Sequence, residues 1–489
     1  MSYSKTIHEL AALLGTTVVP TGIGPVGECR STGITTDSRD VRAGSIFVAR
    51  RGAAADGHSF VRSAMEQGAS ACIVERDWLA EQVTSANPLV TKSEGASVGF
   101  LGVDDTTKAL GTLARLYRLE LSIPTIAITG STGKTTTKEL TKQVLQAVVG
   151  KGTSSPKSFN NHVGLPQTIL SAGTDDKYLL LEAGMNHRGE LDYLGAIAQP
   201  DVAAILNVGP AHLEFFGNIA EIADAKCELL AHLRATGTAV LQVDDVELKN
   251  GVSRLVARTG KQFARITFGI ASSADVSVTD LRLQGKNGSD FILNEGKRKL
   301  PARLPLFGEH NVQNALAAYS IIRAAFPKVS PEAIVQGFSA ANTPEMRLQL
   351  IEQERALIIN DAYNANPVSV RAGVRTACDL AAGRSLMVIL GEMRELGKTS
   401  PELHREIGAF IARHPVAELV VLGEHAGAVV DGAVGGGLRN ATIAATHEEA
   451  IAAAVSAYGR GTTVFLVKGS RMIGLERVVE GIVKAFGGG

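Results

Sequence analysis

Lys134 stands within the run Gly130-Ser131-Thr132-Gly133-Lys134-Thr135-Thr136-Thr137, and this spacing suits the grip of a polyphosphate. Glycines let the backbone curl until several N–H groups face one anion, and a following helix adds its positive end. The lysine then neutralises the β- and γ-phosphates, and Thr135 is placed to hold Mg²⁺. The strict phosphate-loop pattern also asks for glycine at position 128, where Ile128 stands. The motif is therefore a shortened variant, with a plain strand–turn–helix as the alternative.

Four further segments carry groups that such a loop would need. Glu182, in Leu181-Glu182-Ala183-Gly184, ends an apolar run and can offer Mg²⁺ an oxygen ligand, or simply cap a helix or face solvent. His212 lies in the loop Asn207-Val208-Gly209-Pro210-Ala211-His212, from which it can reach a metal or a phosphate. Lys226 falls on a helix expected over 219–232, where an isolated lysine is ordinarily a solvated surface residue. Asn311 and Asn314 share one face of a helix expected over 312–325. Both can hydrogen-bond a flat heterocycle, and N-capping is the other reading of Asn311.

The elements that must position these groups follow from patterning. Residues 31–75 read as short strands and turns, with a strand over 46–49 and a helix over 60–67, and the chain resets near Leu121-Ser122-Ile123-Pro124. Strand–helix alternation then begins, with buried strands at 126–128, 178–181 and 203–206. Polar–apolar alternation over 268–305, around Gly285-Lys286-Asn287-Gly288, reads as an antiparallel hairpin excursion. A second alternating series follows Asn342-Thr343-Pro344, with strands at 357–359, 386–390, 419–422 and 464–467. The fold class expected is α/β in three domains. A smaller N-terminal α/β domain spans 1–120, a central parallel sheet with helices on both faces spans 121–342, and a Rossmann-like domain spans 343–489. Gly130, Glu182, Asn207, Asp361, Gly391, Gly423 and Lys468 end strands, so they should face two clefts or one shared cleft.

Composition sets the outer limits. The chain has 489 residues, long enough for several cores, and 45% of them are hydrophobic. Lys plus Arg and Asp plus Glu both number 49, so no global charge favours nucleic acid or an anionic membrane. Cys29, Cys72, Cys227 and Cys378 are scattered without zinc or redox spacing, which fits a reducing cytoplasm. No apolar run approaches the roughly 18 residues of a membrane span, and no signal peptide is expected.

Collinear with these segments, Thr36-Asp37-Ser38-Arg39, Asp56-Gly57-His58, Asn160-Asn161, Gly308-Glu309-His310-Asn311, Thr343-Pro344 with Arg347, Asn360-Asp361-Ala362-Tyr363-Asn364-Ala365-Asn366-Pro367, Gly391-Glu392-Met393-Arg394-Glu395-Leu396-Gly397 and Val467-Lys468-Gly469-Ser470-Arg471 resemble the Mur ligases. The resemblance implies an ATP-dependent ligase that activates a carboxylate as an acyl phosphate. It implies two Mg²⁺ ions on Thr135, Glu182, His212 and Lys226, the lysine being carbamylated. Arg347 is implied near the γ-phosphate, Asp361 near the ribose, and Asn311 with Asn314 near adenine. Ser38, Arg39, Asn160, Asn161, Tyr363, Asn364 and Asn366 are implied as substrate contacts.

The segment from Asn360 to Pro367 points to the subfamily joining D-alanyl-D-alanine to UDP-N-acetylmuramoyl-tripeptide, because the Asp-Asn-Pro-Arg pattern of the diamino-acid-adding ligases is missing. Glu309 departs from the basic or neutral residue expected there. A monomer is expected, with the first domain on the UDP precursor, the second on ATP and the third on the amine. A relative adding a diamino acid or glutamate is the alternative, and a nucleotide-binding scaffold without ligation is the rival from another class.

Overall fold

The computed structural model describes residues 3–21, 26–52, 55–84 and 98–487, so the extreme ends of the expected first and third domains lie outside the described residues. Its strands form three sheets of five, nine and six. In the first, Gly99–Val103, Ala71–Glu75, Ile46–Val48 and Ile34–Thr35 run parallel, and Val18–Pro20 pairs antiparallel at the edge.

The central sheet is parallel from Thr153–Ser154 through Leu179–Glu182, Thr125–Thr129, Val202–Ile205 and Thr238–Gln242 to Ala264–Phe268. Val276–Leu283 joins this series through a single parallel pair, Phe268 with Val276, and then pairs antiparallel with Ser289–Glu295, which pairs with Arg298–Leu304. The hairpin read as an excursion is therefore the sheet's own continuation. Its apolar positions Val276, Val278, Phe291 and Leu293 extend the same core. The strands alternate as period-two geometry requires: Ile126 and Ile128 face the core under helices Lys134–Val148 and Glu309–Ala325, while Ala127 faces the opposite core.

Helix Thr106–Glu120 follows the last strand of the first sheet, yet it packs on helices Gly164–Ser171 and Glu190–Ala198 of the central part. One apolar core consequently runs from Tyr3 to Leu255. Arg118, fully buried at this junction, donates to the carbonyls of Ala198 and Leu121 and pairs with Asp201 at 2.8 Å. The third sheet carries Leu357–Asp361, Val464–Lys468, Leu386–Gly391, Glu418–Leu422 and Ala441–Ile443 in parallel, with Gln349–Glu352 antiparallel at its edge. It has its own core on each face. Among the described residues no helix is long and apolar enough to cross a membrane.

Candidate active site

The strand ends of the second and third sheets open into one shared cleft of about 920 Å³, lined by Glu182 and Asn207 from one side and Asp361 and Lys468 from the other. At its base strand Thr125–Thr129 turns through Gly130 into the helix Lys134–Val148, whose first residue is the lysine itself. Gly133 precedes that helix at φ +81°, and a Cβ there would lie 2.5 Å from Asn314 Oδ1, so the turn requires glycine. No side chain caps the helix, which leaves its first N–H groups and its positive end to the cleft. Asn207 braces the loop, accepting from Thr132 N–H at 2.9 Å and donating to the Thr132 carbonyl at 3.2 Å. Ser131 bonds the Gly209 carbonyl at 3.1 Å. Lys134 Nζ donates to the Gly130 carbonyl at 2.6 Å, and burial lowers its pKa, with Arg347 adding to the effect and Glu182 opposing it.

Glu182 is buried in the cleft wall. Its Oε1 accepts from Asn160 Nδ2 at 2.9 Å, while Oε2 is buried without a hydrogen bond. The nearest cation to Oε2 is Lys138 Nζ at 3.6 Å, an amine that also donates to the carbonyls of Ser155 and Lys157. Sequence reasoning passed over Lys138, whose one signal was a lysine a turn beyond Lys134 in an otherwise threonine-rich helix start. An orphaned carboxylate oxygen beside a phosphate-type loop fits a hard cation such as Mg²⁺. The reading of Glu182 as a capping or solvated residue does not survive its burial.

Lys226 overturns a bland reading more sharply. On helix Ile219–Ala231 it faces inward and is 1% exposed, not solvated. Among the described residues its amine makes no hydrogen bond or ion pair. Burial, with Lys134 nearby, holds its pKa well below the ordinary lysine value, which disfavours the charged form. A neutral amine is the form that adds to CO₂, and a carbamate formed here, with loss of a proton, would offer oxygen ligands in place of the amine. Lys226 lies behind the cleft, outside its lining.

His212 lines the cleft and sits at φ +60°. Its Nδ1 meets Glu395 Oε2 of the third sheet's side at 2.5 Å, a bond that holds the Glu395 carboxyl below the ordinary range. Among the described residues one group of three close metal-capable side chains occurs, Glu392, Glu424 and His425. It lies outside the cleft, and the Glu392 carboxylate is already engaged by Glu424 N–H at 3.1 Å and by Arg394 at 3.4 Å.

Helix Glu309–Ala325 starts earlier than periodicity suggested, with Gly308 at its N-cap, so Asn311 is inside the helix and the capping reading fails. Asn311 donates to the Phe307 carbonyl at 2.8 Å, Asn314 donates to Asn311 Oδ1 at 2.9 Å, and Thr137 donates to Asn314 Oδ1 at 3.2 Å. Both asparagines line the cleft, locked in rotamer by this chain of bonds. Glu309 is exposed on the first turn, where an acidic residue suits the helix dipole.

From the bend leading into the third sheet's edge strand, Arg347 reaches across to Thr135 Oγ1 at 3.1 Å while its guanidinium lies 4.4 Å over the Tyr363 ring. It sits in the bend that precedes strand Gln349–Glu352, between two left-handed residues, Met346 at φ +58° and Leu348 at φ +51°. Asp361 accepts from Leu348 N–H at 3.2 Å and pairs with Lys468 at 2.6 Å. Asn364 and Asn366 line the cleft too, though Asn366 is also the N-cap of helix Pro367–Ala381. Asn161 lines it while accepting from Val163 and Gly164 N–H groups. Ser38 and Arg39 are not brought there. They form a short turn on the first sheet, where the exposed Arg39 pairs with Asp37 at 2.6 Å.

A cleft between two sheets, with a phosphate-type loop on one wall and Arg347, Asp361 and Lys468 on the other, is the arrangement of a nucleotide-dependent enzyme assembled from two domains, and three family models match it in order along the chain. They are the Mur ligase family catalytic domain over residues 30–118, the Mur ligase middle domain over 128–322, and the Mur ligase glutamate ligase domain over 346–471. The chain belongs to the Mur ligase family. It is 32% identical to the UDP-N-acetylmuramoyl-tripeptide–D-alanyl-D-alanine ligase of Bacillus subtilis, over 93% of each chain. The enzyme of that name from Escherichia coli is 30% identical over 92% of this chain and 93% of its own. Among solved structures, MurF from Acinetobacter baumannii superposes with a TM-score of 0.86 at 31% identity, over 99% of both chains. MurF from Thermotoga maritima, in complex with ADP, gives 0.77 at 27% identity, over 93% of this chain and 97% of that one.

Proposed function

We propose that this protein uses ATP to join D-alanyl-D-alanine to UDP-N-acetylmuramoyl-tripeptide, forming ADP and phosphate, as a cytoplasmic monomer in peptidoglycan precursor synthesis. The observation that carries the reading is the placement of the Asp361–Asn366 segment across one cleft from Lys134 and Glu182. The relatives that match nearly the whole chain bear this activity in their names. The chain's first part, residues 1–120, receives the UDP precursor through Ser38 and Arg39. Residues 121–342 hold ATP, and residues 343–489 bring the dipeptide and close on the nucleotide.

In the first step an oxygen of the tripeptide carboxylate attacks the γ-phosphorus, the bond to the bridging oxygen breaks, and ADP leaves. In the second the dipeptide nitrogen, having lost a proton, attacks the acyl carbon, and the C–O bond to phosphate breaks. Two anions must meet in the first step, so positive charge fixed in a partly dry cleft contributes most. Lys134 and Arg347 supply it from opposite walls, with the loop N–H groups. Thr135, Glu182, His212 and carbamylated Lys226 would hold two Mg²⁺ ions, which neutralise phosphate charge. Asn311 and Asn314 contact adenine and Asp361 the ribose. Asn160 holds Glu182 in place, Asn161 shapes the neighbouring turn, and Tyr363, Asn364 and Asn366 shape the dipeptide side. Closely held reactants supply much of the remainder.

An amine panel tests the reading. Phosphate release from ATP in the presence of UDP-N-acetylmuramoyl-tripeptide should require D-alanyl-D-alanine and fail with D-glutamate or a diamino acid. Release with a single amino acid in place of the dipeptide would reassign the enzyme within the family.

A further inference from the structure

His212 and Glu395 are 183 residues apart in sequence and come from different sheets, yet Nδ1 and Oε2 meet at 2.5 Å. The contact is prepared on both sides. His212 is left-handed at φ +60° and Glu395 at φ +66°, conformations that are unfavourable for a non-glycine residue and persist only where surrounding structure imposes them. The backbone joins the two loops as well, since Glu214 N–H donates to the Glu395 carbonyl at 3.1 Å. Two residues on, Gly397 packs so tightly that a Cβ would lie 2.9 Å from Glu214 Cα. A carboxylate at Nδ1 fixes the ring proton there. Nε2 is the ring nitrogen that faces no protein partner, and among the described residues it has no hydrogen bond.

This is the arrangement by which a carboxylate orients a metal-binding imidazole and raises its basicity. We propose that Glu395 is the positioning residue for His212, delivered by the third sheet, so that the cation site on the central sheet is complete only when the two sheets meet. The inference rests on the ligase reading for the identity of the cation. It adds a cause for the coupling of domain approach to chemistry: the third domain supplies an orienting group to the metal side as well as Arg347 to the nucleotide side.

The test is Mn²⁺ binding, read by electron paramagnetic resonance with ADP and bicarbonate present, in the parent, Glu395→Ala and Glu395→Gln proteins. Gln retains an oxygen that accepts from Nδ1–H. Outer-shell partners of this kind are worth about 10–100-fold in metal affinity or activity. Glu395→Ala should weaken the weaker Mn²⁺ site by about tenfold or more, with Glu395→Gln losing a smaller or equal factor. In turnover the Mg²⁺ concentration for half-maximal rate should rise, with KM for the UDP precursor unchanged. Mn²⁺ affinity in both variants within about twofold of the parent, where tenfold is expected, overturns the proposal. A parent that binds Mn²⁺ but shows no amine-dependent phosphate release overturns the ligase reading instead, and the two failures are distinguishable.

Discussion

Between the first and second sheets, helix Thr106–Glu120 lays Leu110, Leu113 and Tyr117 into a core that continues without interruption to Leu255. Between the second and third sheets, the cleft is bridged by polar pairs, Arg347 with Thr135 and Glu395 with His212. Among the described residues of the central part, Phe307 and Leu213 join the third sheet's core. Apolar area is lost whole when a junction opens, whereas a few polar contacts can be exchanged for water and ligand at small net cost. The first junction is therefore the costlier to open and the second the cheaper.

Substitutions at the two junctions should break along that line. Lys134→Ala, on the wall of the polar cleft, should lower ATP-dependent product formation by at least ~10³-fold, as expected when a charge aimed at the reacting phosphate is removed, with thermal stability kept. Near-parent activity in that variant would sink the phosphate assignment. Lys226→Ala should be comparably inactive and regain part of its rate with acetate or another small carboxylate. A parent-like rate without rescue would count against the carbamate.

Arg118→Ala, at the apolar junction, should do the opposite and cost roughly 3 kcal/mol of stability or more, because the carbonyls of Ala198, Leu121 and Gln199 lose their buried donor, at about 1–3 kcal/mol for each one left unsatisfied. Denaturant unfolding checks it, and the first two sheets should lose structure in one transition. Two well-separated transitions would show that the continuous core does not act as a unit.

A smaller effect should appear as a pH dependence of the polar junction. His310, near Asp361 and Lys468, is pushed by burial down to about 4. An unfolded histidine takes its proton near pH 6.5. Between these values the unfolded chain binds a proton that the native chain refuses, so stability falls as pH drops from about 6.5 towards 4, by on the order of 3 kcal/mol. His310→Phe should flatten that slope in urea titrations, and an unchanged slope would place the cause elsewhere. The smallest structural effect should be at Arg39, whose pair with Asp37 is exposed. Arg39→Ala should leave the melting temperature unchanged while weakening capture of the UDP precursor in a binding titration.

Local patterns made much of this legible in advance. Strand 126–128 ending at Gly130, the helix around Lys226 and the turn at Gly285–Gly288 each follow from periodicity or turn chemistry within one short window. What depended on packing did not show. The burial of Lys226 is a property of how its helix sits on the sheet, and a lone helical lysine reads as surface until that is known. Lys138 escaped because its partners, Ser155, Lys157 and Glu182, come from two other segments. The hairpin's membership in the central sheet rests on one parallel pair, Phe268 with Val276, which no alternation pattern announces. The shared core across residues 120 and 121 was hidden for a like reason, since Leu121–Pro124 carries the composition of a linker while its neighbour helix is docked elsewhere.

The most direct test of the proposed chemistry follows the carboxylate oxygen. UDP-N-acetylmuramoyl-tripeptide labelled with ¹⁸O in its reacting carboxylate, incubated with ATP and D-alanyl-D-alanine, should release phosphate carrying one labelled oxygen, because that oxygen bonds to phosphorus and departs with it. Phosphate free of label would mean that ATP is merely hydrolysed by water, and would contradict ligation through an acyl phosphate.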